Sequence, residues 1–407
     1  MSEYSDIYER IQEARNVIAN IARVTPLDRS STFSRMSGGE VYLKLENLQK
    51  TGSFKVRGAS YAISQLSDKE KHAGVVAASA GNHAQGVAHA ATRLGIKSQI
   101  VMPVFSPVAK IQATKGYGAE VVLHGEVFDE SLAHAYEIAE KTDATFIHPF
   151  NDKNVIAGQG TIGLEILEAL PDVDVIAVPV GGGGLIGGIA IAIKTQKPDV
   201  EVYGVEAARA ASMKKSMETG EPSYVKEMDT IADGIAVKKP GDLTYGIARD
   251  LLTGIVTVEE LEITRTLFHL LERAKNVVEP AGCVALSALQ QGKIDISGKK
   301  AVAVLSGGNI DMSFLSRVVD KELVRLGRRV RVRGSIMDRV GSLNRVLAAV
   351  AESGVNLVEV SHDRADPDIA PNRAELELII EVPDKSALTE MLGLLDDRGM
   401  HFEVFED

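Results

Sequence analysis

The amino-acid sequence predicts an α/β protein with a parallel sheet, followed by a small α+β domain. Short apolar runs such as GVVAA, SQIVMP, DVDVIAVPV and KKAVAVL alternate with Ala-rich segments of helical spacing, and such alternation favours strand–helix–strand units. Each apolar run ends at a Gly-rich or polar turn. Ligand sites of parallel sheets lie at these carboxyl ends of the strands, so we expect the functional residues there.

The chain is predicted to begin with an amphipathic helix and to divide into two domains. Apolar residues recur at helical spacing over residues 4–23, and Thr25-Pro26 ends the pattern because a residue before proline disfavours helical geometry. The composition changes at residues 321–345, which hold eight basic and two acidic side chains. We therefore predict a large domain over residues 1–320, with a smaller lobe at roughly 48–150, a linker over residues 321–329 and a small domain over residues 330–407.

The small domain is predicted to be a ferredoxin-like βαββαβ unit. Its alternating and helical apolar patterns follow one another in that order. The predicted strands are residues 330–336, 355–362, 374–382 and 402–405, and the predicted helices are residues 343–352 and 385–398.

Composition excludes several classes of protein. The 407 residues are 45% hydrophobic and 25% charged, as in globular proteins. A net charge of −11 disfavours a general nucleic-acid-binding protein, although a short basic stretch at residues 325–333 leaves a minor nucleic-acid hypothesis open. Cys283 is the single cysteine, which excludes intrachain disulfides and CxxC metal sites. The acidic N-terminal segment and the Gly- and Pro-containing stretch at 175–193 indicate neither targeting nor membrane insertion, so a cytoplasmic protein is expected.

A glycine-rich turn is the most conspicuous motif. The sequence GGGGLIG at residues 181–187 lies between a predicted strand and a predicted helix, where backbone N–H groups can bind a phosphate. Gly182, Gly184 and Gly187 also satisfy G-x-G-x-x-G, and Glu206 follows about 20 residues later, as in dinucleotide-binding proteins. The motif alone therefore leaves an NAD-dependent oxidoreductase, another phosphate ligand and simple close packing as alternatives.

Three further polar turns can carry chemistry. Lys55 begins a predicted helix, where the positive end of the dipole disfavours an ammonium and frees an amine for Schiff-base chemistry; a solvated surface lysine is the alternative. The turn at residues 79–83, SAGNH, offers N–H groups and hydroxyls to a carboxylate, or merely caps a helix with Ser79. The turn at residues 306–309, SGGN, follows another strand. No metal-binding His spacing, G-x-S-x-G elbow or P-loop is present in the sequence.

Taken in chain order, the four motifs resemble those of the threonine dehydratases, or threonine ammonia-lyases, of the fold type II pyridoxal-phosphate (PLP) enzymes. They are Ser53-Phe54-Lys55, SAGNH at residues 79–83, the glycines at residues 181–184 and SGGN at residues 306–309. The likeness spans about residues 10–320, and the sequence VIAGQGT at residues 155–161 strengthens it. It implies a two-lobed α/β catalytic domain that converts L-threonine to 2-oxobutanoate and ammonia, and L-serine to pyruvate. A combination of motifs is more specific than one glycine pattern, so the dinucleotide motif is interpreted as coincidental.

The resemblance also implies roles for individual residues. Lys55 would bind PLP covalently and serve as the catalytic base, and Ser306 would contact the pyridine nitrogen. The other residues expected to bind the cofactor are Phe54, Asn82, Gly181, Gly182, Gly183, Gly184 and Leu185. Those expected to bind the substrate carboxylate are Ser79, Ala80, Gly81 and His83.

Serine racemases of the same fold are the alternative within the family. They carry a serine at the position of Ala80 and an asparagine at that of Phe150, so both residues here favour dehydration over racemisation. A metal ion at Glu206 is not expected, because an acidic residue is missing near Ser212. No catalytic role is assigned to Glu279, which precedes Pro280 at a predicted helix start.

The C-terminal domain resembles an ACT domain, a module that senses amino acids, with Gly341-Ser342-Leu343 at the turn after its first strand. The resemblance implies isoleucine or valine as an effector, bound near the turn at residues 338–343 or near Asn356 of a neighbouring chain. The alternative is a domain that only mediates dimerisation. A homodimer or homotetramer is expected.

Overall fold

A computed structural model describes residues 2–365 and 367–405, which form two compact units divided between Ile310 and Asp311. The helices of the first unit are α1 (Ser5–Val17), α2 (Ser31–Ser37), α3 (Lys55–Ser64), α4 (Asp68–Ala73), α5 (Asn82–Arg93), α6 (Val108–Gly116), α7 (Phe128–Thr142), α8 (Lys153–Ala169), α9 (Gly184–Gln196), α10 (Ser212–Thr219), α11 (Asp242–Leu251), α12 (Glu260–His269) and α13 (Pro280–Gln290). Its strands are β1 (Leu27–Arg29), β2 (Glu40–Leu45), β3 (Val75–Ala78), β4 (Ser98–Met102), β5 (Glu120–Leu123), β6 (Thr145–Phe146), β7 (Val175–Pro179), β8 (Glu201–Ala207), β9 (Gly254–Val258) and β10 (Lys300–Leu305).

The first unit contains two sheets, as expected for a two-lobed α/β protein. The larger has the strand order β1-β2-β10-β7-β8-β9, in which only the β1–β2 pair is antiparallel. The smaller has the order β5-β4-β3-β6 and is parallel throughout. Strands β3 and β7 are buried along their whole length, which explains their continuous apolar sequences.

Three of the predicted polar turns directly follow strands, one in the smaller sheet and two on neighbouring strands of the larger sheet. The SAGNH turn follows β3, the glycine-rich turn follows β7 and the SGGN turn follows β10. An isolated bridge pairs Ser53 with Gly307, and this contact ties the segment before Lys55 to the SGGN turn. The expectation that the motifs gather at strand ends is confirmed.

The N-terminal helix is shorter than predicted. Helix α1 ends at Val17 rather than near residue 23. Beyond it, the N–H groups of Ile21 and Ala22 both donate to the carbonyl of Ile18, at 2.8 Å, which closes a turn and buries all three side chains. Burial of these side chains in a turn satisfies the apolar pattern that predicted a longer helix.

Helices α3 and α8 approach each other closely at two glycines. A Cβ on Gly158 would lie 2.6 Å from the carbonyl oxygen of Arg57 and 2.6 Å from the Cα of Gly58. Neither position can accept a larger residue without moving a helix. This crossing explains the VIAGQGT motif and brings the Arg57 side chain to Glu165.

Four charged side chains form a buried network at this crossing: Lys44, Glu46, Arg57 and Glu165. The Arg57 guanidinium donates to both oxygens of Glu46, at 2.8 Å each, and to both oxygens of Glu165, at 2.6 and 2.9 Å. The Lys44 ammonium lies 2.5 Å from Glu165. Although burial acts to raise it, Arg57 and Lys44 hold the pKa of Glu46 below its ordinary value. Two cations and two anions thus neutralise one another inside the protein.

The second unit begins with α14 (Met312–Arg325) and continues as β11 (Arg329–Met337), α15 (Ser342–Glu352), β12 (Asn356–Asp363), β13 (Arg373–Glu381), α16 (Lys385–Asp397) and β14 (Phe402–Val404). Its antiparallel sheet has the order β12-β13-β11-β14, so the predicted βαββαβ series is confirmed. The predicted linker is largely absent, because α14 continues to Arg325 and buries Val318 and Glu322.

The basic stretch of the second unit faces acidic side chains. Arg331 lies 3.1 Å from Glu377, and Arg333 lies 3.3 Å from Glu375, on the neighbouring strand β13. Cross-strand pairs of opposite charge stabilise a sheet. These pairs offset the positive charge and leave little support for the nucleic-acid hypothesis.

Within the described residues, no helix is both long enough and apolar enough to cross a membrane.

The buried network predicts that Glu165→Gln destabilises the first unit. The substitution removes one of two anions and leaves Arg57 and Lys44 with Glu46 alone. A buried charge without its partner is costly, so we expect the free energy of unfolding to fall by about 3 kcal/mol, measured by chemical denaturation with circular dichroism.

Glu168→Gln is the matched control. Glu168 lies in the same helix and pairs with Arg15, but its side chain is 54% exposed. Its loss should change the free energy of unfolding by less than about 1 kcal/mol. Equal effects of the two substitutions would contradict a special role for the buried network.

Candidate active site

A cavity of about 670 Å³ lies at the carboxyl ends of the strands in the first unit. The structure brings together every residue that the sequence predicted for the site. Those residues all line the cavity: Phe54, Lys55, Ser79, Ala80, Gly81, Asn82, His83, Gly181, Gly182, Gly183, Gly184, Leu185 and Ser306.

Lys55 is held inside the cavity by contacts on both sides. It is the first residue of α3, and the N–H of Phe54 before it donates to the carbonyl of Ser306, at 3.1 Å. The Lys55 ammonium donates to the carbonyl of Pro149, at 2.8 Å. Burial lowers the pKa of Lys55 to about 8, although the negative charge of Glu279 acts to raise it. This lysine is therefore not a solvated surface residue, and a minor fraction of its amine is neutral near physiological pH, more than for an ordinary lysine.

The glycine-rich turn forms a narrow anion-binding cradle. Gly183 has φ +90° and precedes the first residue of α9, and the Thr244 hydroxyl donates to the carbonyl of Gly182, at 2.6 Å. A Cβ on Gly182 would overlap the Phe150 ring, and one on Gly184 would lie 2.9 Å from the Cα of Phe150. The first N–H groups of a helix have no intrahelical partner, so those of α9 remain for an anion.

Asn82 is oriented by a chain of hydrogen bonds. The Asn309 amide donates to Oδ1 of Asn82, at 2.7 Å, and to the carbonyl of Thr51, at 2.8 Å. The Asn82 amide donates in turn to Glu279, at 2.6 Å. These partners define which side of the Asn82 amide is nitrogen. Burial and the negative charge of Asp233 raise the pKa of Glu279 to about 7, against the lowering effect of the Asn82 hydrogen bond.

The SAGNH turn presents the N-terminus of α5 to the cavity. Gly81, not Ser79, is the N-cap residue, and the Ser79 hydroxyl instead accepts from the N–H of Gly81, at 3.1 Å. His83 Nε2 lies 2.8 Å from the carbonyl of Ile147. Burial and the charge of Lys55 lower the pKa of His83 to about 3, so this imidazole is neutral and donates to Ile147.

Comparison with known proteins identifies the family of this site. The family model described as "Pyridoxal-phosphate dependent enzyme" matches residues 18–307. The chain belongs to this family. PLP is therefore its cofactor.

Several relatives are similar over most of their length. The L-threonine ammonia-lyase of Thermotoga maritima is 48% identical over 396 residues, which are 97% of this chain and 98% of that protein. The catabolic L-threonine dehydratase of Escherichia coli K12 is 49% identical over 310 residues, 76% of this chain and 94% of that protein.

Solved structures share the fold. The processed form of threonine deaminase isoform 2 from Solanum lycopersicum superposes with a TM-score of 0.74 at 38% identity, covering 78% of this chain and 93% of that one. Maize serine racemase gives a TM-score of 0.74 at 35% identity, covering 79% of this chain and 98% of that one.

The cavity of this PLP enzyme fits its cofactor. The glycine cradle is an anion site suited to a phosphate, and a half-buried amine of lowered pKa lies in the same cavity. Asn82 offers a fixed amide, and the backbone of Ser306 is bonded to Gly282 and Phe54. The glycine cradle and the Lys55 amine thus match the chemistry of the phosphate and the aldehyde of PLP.

The dinucleotide alternative fails at Glu206. Its carboxylate is fully buried and accepts from the N–H groups of Met213 and Lys214, at 2.8 Å each. Burial raises the pKa of Glu206 to about 7, despite these two bonds. The side chain caps α10 and is not available to a ribose hydroxyl.

In the part of the chain that the structure describes, no group of three His, Cys, Asp or Glu side chains could hold a metal ion.

Sequence reasoning missed several residues at the cavity. From the sequence, Glu279 has only a position at a helix start, and its partner Asn82, 197 residues away, is found by the fold alone. Two ion pairs also lie at the cavity: Lys110 with Asp233, at 3.1 Å, and Lys238 with Asp129, at 2.9 Å. Their residues carry no local motif, so no pattern in the sequence could have identified them.

The glycine cradle predicts that Gly182→Ala weakens PLP binding. The added Cβ would displace Phe150 or the turn, so we expect the dissociation constant for PLP to rise roughly tenfold or more, in line with overpacking costs of about 1–3 kcal/mol. Titration of the apoenzyme with PLP, followed by visible absorption, measures the effect.

Gly187→Ala is the matched control in the same motif. Its Cβ would meet Ile247 at an ordinary distance of 3.5 Å. We expect its dissociation constant to stay within roughly threefold of wild type, since no atom must move. Equal weakening by both substitutions would show that the cradle is not what binds the phosphate.

Proposed function

We propose that this chain is an L-threonine ammonia-lyase that forms 2-oxobutanoate and ammonia, and that also converts L-serine to pyruvate. The observation that carries the proposal is Lys55, a half-buried amine of lowered pKa beside the glycine cradle. Similarity to an L-threonine ammonia-lyase across 97% of the chain supports the choice of substrate.

The residues proposed to hold PLP divide between its chemical groups. The N–H groups of residues 181–185 would bind the phosphate, Asn82 the phenolic oxygen and Phe54 one face of the ring. When bound, PLP supplies an aldehyde for the substrate amine and a ring that delocalises the electrons left by loss of the α-proton. A neutral hydroxyl such as that of Ser306, proposed for the pyridine nitrogen, favours elimination over transamination, because it does not stabilise a protonated ring.

Lys55 is the proposed catalytic base. With a pKa of about 8, its amine is a strong enough base to take the α-proton and is not fully protonated at neutral pH. The N-terminal N–H groups of α5 in the SAGNH turn would bind the substrate carboxylate. In the overall reaction the substrate loses the α-hydrogen and β-hydroxyl as water, and hydrolysis of the resulting enamine yields ammonia and the 2-oxoacid.

Two residues support elimination over racemisation. Racemisation requires a proton donor on the face of the substrate opposite Lys55, and Ala80 has no proton to give. Phe150 is likewise aprotic, and its ring packs against the glycine cradle. The serine racemase alternative therefore lacks a donor at either position.

The proposed reaction predicts that Lys55→Ala abolishes turnover. The purified wild type should be yellow and form 2-oxobutanoate from L-threonine, whereas the variant should retain the fold by circular dichroism and lose at least about 10³-fold in kcat. L-Serine should yield pyruvate much faster than D-serine. Turnover in Lys55→Ala, or D-serine as the main product, would refute the assignment.

We also propose that the second unit is an ACT domain that senses isoleucine or valine. Its βαββαβ order supports this, and Gly341, at φ +86°, precedes the first residue of α15 at the proposed turn. The Asn356 amide already donates to Glu381, at 3.2 Å. The turn at residues 338–343 is therefore the more favourable place for the effector to bind. A role in a homodimer or homotetramer is the competing function of this unit.

This proposal predicts that isoleucine or valine changes the KM for L-threonine. A coupling of about 1–3 kcal/mol corresponds to a change of roughly 5- to 150-fold. Initial rates with each amino acid, with D-isoleucine as control and light scattering for the oligomeric state, measure the effect. An unchanged KM in a stable oligomer would leave assembly as the function of the domain.

A further inference from the structure

His148 closes the turn that follows β6. Its Nδ1 lies 2.8 Å from the backbone nitrogen of Asn151 and 3.2 Å from that of Phe150, and both N–H groups donate to it. A ring nitrogen can accept only when it carries no proton. The imidazole must therefore be neutral, with its proton on Nε2.

The surroundings of His148 keep it neutral. The ring meets those of Phe150 and Phe146 edge-on, with centroids 4.7 and 6.2 Å away. Burial and the charge of Lys55 lower the pKa of His148 to about 4, although Asp152 acts to raise it. His83 is the other titratable group that interacts with this ring, and it too is neutral. Protonation would turn the Nδ1 acceptor into a donor only in acid.

The turn places two groups at the cavity. The carbonyl of Pro149 accepts from the Lys55 ammonium, at 2.8 Å. On the next residue, Phe150 packs against Gly182 and Gly184 of the phosphate cradle. The turn closed by His148 therefore contacts both the proposed base and the glycine cradle.

We propose that His148 is a positioning residue for the ammonia-lyase reaction. Its neutral Nδ1 closes the turn at residues 148–151, and that turn holds the Pro149 carbonyl which orients the Lys55 amine whenever the amine is free. The inference rests on the proposed role of Lys55 as base. His148 itself does not line the cavity and acts only through Pro149 and Phe150.

Two substitutions separate the hydrogen-bonding role from packing. In His148→Asn the side-chain oxygen can accept from the same two N–H groups, as asparagine does in Asx turns. In His148→Leu a similar volume remains without an acceptor. His89→Leu is the control, since His89 packs edge-on against Tyr117 and does not line the cavity.

We expect the leucine variant to lose roughly 10- to 100-fold in kcat with a smaller change in KM, because the base is misplaced after substrate has bound. The asparagine variant and His89→Leu should stay within roughly threefold of wild type. An asparagine variant as impaired as the leucine variant, with both folded, would overturn the proposal.

Two measurements on the apoenzyme test the inference without turnover. Labelling of the Lys55 amine as a function of pH, followed by peptide mass spectrometry, should have a midpoint near 8 in wild type and a lower one in His148→Leu, because the ammonium loses its acceptor. An unchanged or raised midpoint would contradict the proposal. If the midpoint is lower in His148→Leu yet the wild type does not act on threonine, the proposed function fails, while the effect of His148 on the Lys55 amine stands.

Nitrogen NMR of the wild-type apoenzyme keeps the test independent of how the variants fold. With ¹⁵N-labelled histidine, His148 should show an unprotonated Nδ1 and a protonated Nε2 throughout pH 6–9. A proton on Nδ1 at any point in that range would overturn the proposal, since neither backbone N–H could then donate to it.

Discussion

The buried network of Lys44, Glu46, Arg57 and Glu165 is the constraint on which the active site depends. A charge removed from water is tolerated only when its hydrogen bonds and counter-charges are complete. Arg57 meets that condition only if α3 lies against α8 at the contact of Gly58 with Gly158. The start of α3 is thereby held in one place. Lys55, the proposed base, is two residues before Arg57 and is therefore held in place by the same contacts.

The contrast between buried Lys44 and half-buried Lys55 shows how environment decides the chemistry of a lysine. Lys44 has a carboxylate at 2.5 Å, whereas Lys55 has only a neutral carbonyl, at 2.8 Å. Without a close counter-charge, burial lowers the pKa of Lys55 and makes its amine available. The same residue type therefore serves structure in one place and the proposed catalysis in another. The negative charge of Glu279 acts to raise the pKa of Lys55, but its carboxylate accepts a hydrogen bond from Asn82.

The glycine-rich turn illustrates why a motif needs its surroundings. Gly182 and Gly184 are required because Phe150 lies where their side chains would be, and Gly183 because its φ is +90°. At Gly187, which completes the dinucleotide pattern, an added Cβ would meet Ile247 at an ordinary contact distance of 3.5 Å. The three glycines of the G-x-G-x-x-G pattern are therefore not all required for the same structural reason. A local motif establishes an anion-binding turn but not the identity of the anion.

The sequence by itself determined the alternation of strands and helices, the βαββαβ order of the second unit and the positions of all four polar turns, because each depends on residues close together in the chain. It overestimated the length of helix α1 and missed that α14 extends into the expected linker as far as Arg325, since side-chain burial decided those ends. Tertiary structure alone decided which partners meet. Lys55 bonds to Pro149, 94 residues away, and Asn82 to Glu279, 197 residues away. Desolvation and counter-charge, which perturb the pKa values of the site, arise from such distant contacts, and no local pattern records them.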